Sequence, residues 1–204
     1  NVIPVQTDDL KLSISYNVAF NQNEVTKLPF GQAVGGISGG VGNNIQVHTE
    51  GESPFSYLVY KQVYDTAGSP IEGAFVDRNG DNIINDDDRY IYKDPYADVI
   101  MGLNADLNYK NWDLSIVTRA NIGNYAYNNV ASSNGYLRRA TQNNILYNLH
   151  ANSLNTGFVE TTEQNLLSDY FIDDASFFKI DNITLGYRLD NTIKDVAFKF
   201  YGSV

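Results

Sequence analysis

The sequence predicts an all-β fold built from long antiparallel strands, and three observations support this prediction. Apolar residues occupy every second position over residues 10–20, 99–109 and 112–122. A strand points successive side chains to opposite faces, so each stretch has one apolar and one polar face. Each stretch exceeds the usual strand length of about 5–6 residues and matches the roughly 9–11 residues of a tilted strand that crosses a bilayer. Two of the stretches are joined by a tight turn, which completes the pattern of an outer-membrane β-barrel.

The first strand is predicted over residues 9–21. The stretch 31–44 that follows is rich in glycine, which predicts a flexible loop. It is not a phosphate-binding loop, because no Gly-Lys-Ser/Thr follows and no strand-to-helix context surrounds it. A further strand is predicted over residues 55–65, and Ala67-Gly68-Ser69-Pro70 has the composition of a turn.

A hairpin is predicted from residues 97–109 and 112–122. Its connection is Lys110-Asn111, the two-residue length most common in hairpins. Tyr109 and Trp112 flank the turn, where a barrel would carry its interfacial aromatic girdle.

Residues 123–176 lack a long alternation and are predicted to form a long loop with short helices. Thr162 marks a helix start before residues 163–167, and residues 137–149 are a second helical candidate. Loops of this length usually carry function, and in outer-membrane barrels the long loops face outward. Alternation resumes over residues 177–189, followed by a predicted turn at 190–192 and another strand from Val196.

Composition excludes several classes of protein. The 204 residues suffice for one all-β domain, and no run of about 18 apolar residues predicts a membrane helix. The net charge of -10 argues against a nucleic-acid partner, which needs a basic surface. Cysteine is absent, so disulfides and thiolate metal sites are impossible. His48 and His150 lie far apart in sequence without ligand-like neighbours, and nothing in the sequence predicts an enzyme.

Residues 77–88 form the sharpest candidate site, a possible calcium loop. Calcium loops place oxygen ligands at positions 1, 3, 5, 7, 9 and 12, with a glycine at position 6. The residues at those ligand positions are Asp77, Asn79, Asp81, Ile83, Asn85 and Asp88. Two departures weaken the match, since Asn82 replaces the glycine and Asp88 replaces the usual glutamate. The alternative is a solvated turn rich in Asn, Asp and Gly; no cofactor other than Ca²⁺ is expected.

Four tyrosines in or beside the long loop are candidates for stacking on a substrate such as a sugar ring. They are Tyr125, Tyr127, Tyr136 and Tyr147. Tyrosine combines an apolar ring with a polar end, which suits sugar-binding surfaces and bilayer interfaces. The alternative is that these rings pack inside the loop or anchor it at an interface.

Three stretches resemble one protein family. They are SDYFIDDASFFKIDNITLGY from Ser168, the segment from Gly68 (GSPIEGAFVDRNGDN) to Asn128, and the opening VQTDDLKLSISYNVAFNQNEVTKL from Val5. All three resemble the C-terminal barrel region of SusC/RagA TonB-dependent outer-membrane transporters, in the family's order and over nearly the whole chain.

The resemblance implies that residues 1–204 are part of a 22-stranded transmembrane β-barrel, with an acidic extracellular loop at 66–96 and a long one at 123–176. It implies import of oligosaccharides or peptides, a SusD-like surface lipoprotein as partner, and energy from TonB through an N-terminal region that this sequence lacks. We expect the plug and the last strands to be missing as well, and the location to be the outer membrane.

A second interpretation stays open at this point. Tyrosines and a calcium-stapled loop also suit a soluble extracellular β-sandwich that binds glycans. In a sandwich the apolar faces meet in a core, whereas in a barrel they face lipid.

Overall fold

The chain is described by a computed structural model over residues 1–29, 33–35, 45–160, 162–193 and 196–204. It divides into two compact units. Unit 1 comprises Asn1–Asn21, Ala97–Asn124 and Ser176–Val204, and unit 2 comprises Gln22–Tyr96 and Tyr125–Ala175. The predicted glycine-rich loop at 31–44 lies outside the described residues, apart from 33–35.

Strands dominate the secondary structure, as predicted. In chain order they are β1 (Val2–Gln6), β2 (Leu10–Phe20), β3 (Ala33–Gly35), β4 (Gln46–His48), β5 (Ser56–Val59), β6 (Gln62–Tyr64), β7 (Pro70–Phe75), β8 (Tyr90–Ile91), β9 (Val99–Tyr109), β10 (Trp112–Ile122), β11 (Tyr125–Tyr127), β12 (Ile172–Asp174), β13 (Phe177–Ile193) and β14 (Val196–Ser203).

Helical segments are few and short. They are the α-helices α1 (Asn129–Asn134), α2 (Asn152–Thr156) and α3 (Glu163–Leu166), and the 3₁₀ turns Asp86–Asp88, Leu137–Asn144 and Asp169–Phe171. The helix predicted to start at Thr162 is α3. Of the candidate at 137–149, only Leu137–Asn144 is helical, as a 3₁₀ segment. Within the described ranges, no helix is long and apolar enough to span a membrane.

Unit 1 is one antiparallel sheet of six strands in the order β1-β2-β9-β10-β13-β14. The predicted hairpin is confirmed, because Tyr109 pairs with Trp112 across the turn and the pairing continues to Val99 and Ile122. Lys110 adopts φ 51° in this turn, the left-handed geometry that a tight hairpin connection uses. Strands β2 and β9 pair without a break from Leu10–Tyr109 to Phe20–Val99.

A β-bulge keeps the apolar residues of β13 on one face of the sheet. Phe178 and Ile180 occupy even positions, whereas the apolar residues from Ile183 onward occupy odd ones. The pairing with β10 shifts register at this point, and Asp181 is the extra residue. A bulge inserts one residue and so restores the phase of the alternation.

The apolar face of this sheet is exposed. Leu103 is 39% exposed, Leu185 48% and Phe200 61%, although these side chains lie on three different strands of one sheet. Burying such side chains is favourable in water, so an exposed apolar face of this kind is typical of a surface that contacts protein or lipid.

Two local predictions were wrong. The turn predicted at 190–192 is part of β13, which continues to Ile193 and pairs there with Val196 of β14. The pairing with β14 shifts register between Leu189 and Ile193, so the turn-favouring residues lie in an irregularity of the strand and do not end it. The strand predicted over 55–65 is split into β5 and β6, because the backbone of Tyr60 leaves the sheet and bonds to Leu167 and Asp169 instead.

The described residues of unit 2 form small sheets and two apolar clusters. The sheets have the orders β3-β4-β5-β8, β6-β7 and β11-β12. The larger cluster consists of buried residues from distant parts of the sequence: Ile45, Tyr57, Val59, Tyr60, Phe75, Leu167 and Ile172. The smaller cluster is Ala131, Phe158 and Phe171. Residues of both predicted loops therefore share one core, and the loops form a single folded unit.

Candidate functional site

Almost all of the net charge lies in unit 2. Its residue ranges contain sixteen Asp and Glu against seven Lys and Arg, a net charge of -9, whereas unit 1 contains eight against seven, a net charge of -1; the two sum to -10. A folded unit with this charge attracts cations and repels anionic ligands. Unit 2 is therefore the candidate for contact with ligands.

The first half of the acidic loop curls around Asp77 and Asp81. The Asp77 carboxylate accepts hydrogen bonds from the backbone N–H of Gly80 at 2.6 Å and of Asn82 at 2.7 Å. Asp81 accepts one from the N–H of Ile83 at 2.7 Å. Asn82 has φ 65°, the left-handed geometry for which calcium loops use glycine at this position.

The second half of the loop is built on the buried carboxylate of Asp88. Its side chain is 0% exposed and accepts hydrogen bonds from the N–H of Arg78 at 2.7 Å and of Asn85 at 3.0 Å. Asn85 in turn accepts from the N–H of Asp87 at 2.8 Å, which completes a capping box around the 3₁₀ turn. The backbone hydrogen bonds, that of Asn85 first, lower the pKa of Asp88.

The loop brings the predicted calcium ligands into one short segment, but their oxygens are turned to backbone N–H groups. Among the described residues, no three acidic or histidine side chains lie close enough to share a metal ion. The curl of the backbone matches a calcium loop, whereas the side-chain oxygens accept hydrogen bonds from backbone N–H groups of the same turn. The calcium site stays a prediction.

Tyr127 has a packing role. Its ring lies edge-on to Phe171 with centroids 6.5 Å apart, and it contacts both apolar clusters. Its hydroxyl oxygen lies 2.8 Å from the backbone carbonyl of Leu166 and 2.7 Å from Ser132 Oγ. Burial raises the pKa of Tyr127 to about 12.

The other three tyrosines lie in different surroundings. The Lys93 ammonium sits 4.5 Å from the ring centroid of Tyr125, and the Arg139 guanidinium sits 4.6 Å from that of Tyr147. Tyr136 packs against the smaller apolar cluster. Stacking of these rings on a substrate stays a prediction.

Sequence reasoning missed a polar link between the strand predicted over 55–65 and the long loop predicted over 123–176. Ser168 and Gln62 are both buried, and the Ser168 hydroxyl donates to Gln62 Oε1 at 2.9 Å. Gln62 Nε2 donates to the carbonyl of Ile71 at 2.7 Å. The available signal was a glutamine inside a mainly aromatic and apolar stretch, since a buried polar side chain requires partners.

Comparison with known proteins identifies the family. No family model matches the chain. The chain is 40% identical over 211 aligned residues to the TonB-dependent receptor SusC of Bacteroides thetaiotaomicron, and this match covers 99% of the chain and 21% of that receptor. The chain belongs to the SusC/RagA family of TonB-dependent receptors. A second match is weaker: the TonB-dependent receptor P3 of Formosa agariphila is 27% identical, over 91% of the chain and 20% of that protein.

Solved structures confirm the fold of this SusC/RagA segment. The RagAB peptide transporter matches with a TM-score of 0.68 at 17% identity, covering 99% of the chain and 24% of that protein. The RagAB peptide importer in its closed-closed state matches with a TM-score of 0.67 at 18% identity, covering 98% of the chain and 24% of that protein. The sequence thus spans about a fifth of the curated relatives it matches. These relatives are receptors and transporters, not enzymes.

Proposed function

We propose that the chain forms part of the wall and the outward-facing loops of an outer-membrane importer driven by TonB. The observation that carries this proposal is the six-stranded sheet of unit 1. Three of its strands, β2, β9 and β10, have eleven residues each, which suits a tilted bilayer crossing. One face of this sheet is apolar and exposed, as a lipid-facing barrel wall requires.

The soluble β-sandwich is the weaker interpretation. A sandwich buries its apolar faces against each other and leaves only scattered apolar residues exposed. In unit 1 the exposed side chains include Val18, Leu103, Trp112 and Leu185, which belong to one face of neighbouring strands. This arrangement supports the barrel.

The cargo and partners follow from the same proposal. The whole receptor takes up an oligosaccharide or a peptide, pairs with a SusD-like surface lipoprotein, and contacts TonB through its N-terminal region. Unit 2 contributes to substrate contact, because it contains the two predicted extracellular loops and nearly all of the net charge.

The test is carried out on the full-length receptor that contains this chain. We expect it to require detergent, to shift in electrophoretic mobility on heating, and to co-purify with a surface lipoprotein. Cells that lack the receptor should lose uptake of its cargo, and so should cells treated with a protonophore. A receptor that stays monodisperse in water without detergent would contradict the proposal.

We also propose Ca²⁺ as the ion that the acidic loop takes. The left-handed Asn82 and the spacing of carboxylate and amide oxygens support this, since hard divalent cations favour oxygen ligands. Ca²⁺ would add crosslinks to a loop that already holds its shape through backbone hydrogen bonds, and would offset part of the charge of unit 2.

A further inference from the structure

Unit 2 contains a small polar cavity that the predicted sites do not include. Its volume is about 160 Å³. Six of the side chains that line it are Asn128, His150, Asn152, Tyr170, Phe171 and Asp173. They come from the N-cap of α1, from the start of α2 and the segment just before it, and from the Asp169–Phe171 turn together with β12. The lining combines two aromatic rings with two amides, one imidazole and one carboxylate.

Hydrogen bonds within the protein fix the orientation of these polar side chains. Asn128 accepts from the N–H of Ala131 at 2.9 Å as the cap of α1, and its amide donates to Asp173 at 2.9 Å. The Tyr170 hydroxyl donates to Asn152 Oδ1 at 2.8 Å. Tyr170 also packs on Phe171 with ring centroids 5.1 Å apart. A site whose side chains are held in place before binding loses little conformational entropy when a ligand enters.

The tautomer of His150 follows from its backbone contact. His150 Nδ1 accepts a hydrogen bond from the N–H of Asn152 at 3.2 Å. A neutral imidazole that accepts at Nδ1 carries its proton on Nε2 and can donate from there. The cavity therefore presents both hydrogen-bond donors and acceptors beside aromatic rings.

We propose that this cavity is a subsite for one neutral sugar residue of an imported glycan, an inference that rests on the proposed importer function. Each sugar hydroxyl both donates and accepts hydrogen bonds, which matches a lining of amides, imidazole and carboxylate. The apolar face of a sugar ring suits the flat surfaces of Tyr170 and Phe171. Pockets of this mixed character fix a ligand's orientation through a few polar groups.

Charge and shape determine the class of ligand. The net charge of -9 on unit 2 disfavours uronic-acid and sulfated glycans. A peptide is less suited, because extended peptides bind along open sheet edges, whereas this cavity is compact. At about 160 Å³ it has the volume of roughly five water molecules in the liquid, which suits one ring and no extended chain.

The experiment uses calorimetry on the detergent-solubilised full-length receptor. The ligands are the neutral trisaccharides maltotriose, cellotriose, mannotriose and xylotriose, with trigalacturonic acid and trilysine for comparison. We expect at least one neutral trisaccharide to bind and trigalacturonic acid not to bind. Asp173→Ala and His150→Ala should each weaken the neutral ligand about tenfold, as the loss of a hydrogen bond to a charged or preorganised group does.

Two control variants match the test variants closely. Asp174→Ala changes the next residue of β12, which does not line the cavity. His48→Ala removes the other histidine, whose Nδ1 likewise accepts a backbone N–H, that of Phe55 at 3.4 Å. Both controls should bind the neutral ligand like the unmodified receptor.

Three outcomes would overturn the subsite. They are an absence of binding by every neutral trisaccharide, unchanged affinity in both Asp173→Ala and His150→Ala, or binding of trilysine alone. If one of these outcomes is found and the receptor still imports its cargo across the outer membrane, the proposed subsite is wrong while the importer function stands. A receptor that is not an outer-membrane importer contradicts the proposed function itself.

Discussion

Tyr90 donates a hydrogen bond to the carboxylate of Asp169 at an oxygen–oxygen distance of 2.7 Å, although 79 residues separate them in the sequence. The other carboxylate oxygen of Asp169 accepts from the backbone N–H of Gln62 at 3.0 Å. One side chain of the second predicted loop thus holds two segments of the first part of unit 2. Burial, and then the bond to Asp169, raises the pKa of Tyr90.

Asp169→Ala should destabilise unit 2 by about 2–4 kcal/mol, because it removes two hydrogen bonds to a charged acceptor. Hydrogen exchange of the full-length receptor should show faster exchange in β6, β8 and the Asp169–Phe171 turn, with unit 1 unchanged. Tyr90→Phe should show a smaller effect of the same kind. Equal exchange in Asp169→Ala and the unmodified receptor would contradict this role.

Leu103→Arg should impair membrane assembly, whereas Asn104→Arg should not. Leu103 lies in the middle of β9 on the apolar face, and Asn104 lies beside it on the polar face. An arginine on a lipid-facing position near the bilayer midplane destabilises a barrel by about 2–4 kcal/mol, and one on the other face does not. The measurement is the heat-modifiable fraction of receptor in outer membranes. The opposite ranking would mean that the faces are assigned the wrong way round.

Tyr127 should give unit 2 an alkaline limit. Its folded-state pKa of about 12 lies above the ordinary value of 10.0, so the neutral phenol is favoured by folding. The resulting stabilisation is complete below pH 10 and is lost as the pH rises towards 12. Tyr127→Phe should reduce this pH dependence without abolishing it, because the pKa values of Tyr60 and Tyr90 are raised as well. It should also lower stability at pH 8 by about 1 kcal/mol, the value of a typical hydrogen bond. Unfolding of the receptor measured from pH 8 to 12 tests this, and a pH dependence as steep in Tyr127→Phe as in the unmodified receptor would contradict it.

Asp81→Asn should weaken Ca²⁺ binding to the acidic loop about tenfold, because calcium affinity depends on the number of charged ligands. The asparagine keeps an oxygen that can accept the N–H of Ile83. Asp65→Asn is the matched control, since Asp65 also accepts backbone N–H groups, those of Ala67 and Ser69, in a neighbouring turn. The measurement is calorimetric titration with CaCl₂ of each receptor variant from which a chelator has first removed bound metal. Absence of binding at millimolar Ca²⁺ would leave the loop as a turn held by its own hydrogen bonds.

Gly186→Ala should disturb the polar face of the unit 1 sheet. A Cβ at Gly186 would lie 2.5 Å from Asp113 Oδ2, and Asp113 forms an ion pair with Lys199 at 3.0 Å. We expect a loss of about 1 kcal/mol, in the upper range of exposed ion pairs, and the double variant Gly186→Ala/Asp113→Ala should lose no more than this, because Asp113→Ala removes the ion pair by itself. Gly202→Ala on the adjacent strand has nothing within 4 Å of its new Cβ and should be neutral. Thermal unfolding of the four receptors distinguishes these cases.

Local patterns in the sequence predicted unit 1 well. The alternation of apolar and polar residues in β2, β9 and β10 predicts both where these strands lie and which side chains share a face. The reason is that successive side chains of a strand point to opposite faces of the sheet. The two-residue turn at Lys110-Asn111 then sets the register of the hairpin. Resemblance, rather than periodicity, supplied the family. The end of β13 was missed, since residues 190–192 favour a turn in isolation, whereas the strand continues past an irregularity there and pairs again at Ile193.

The sequence by itself determined the long two-faced strands, their hairpin and the acidic, cysteine-free character of the chain. The tertiary structure decided that the predicted loops form one unit with a shared core, and that Tyr127 packs inside it. It also decided where Asp169 and the cavity beside Asp173 lie. These features depend on contacts between residues some 40 to 110 positions apart, such as Asn128 with Asp173 and Gln62 with Asp169. Periodicity records only which face a residue occupies, and therefore carries no information about such distant partners.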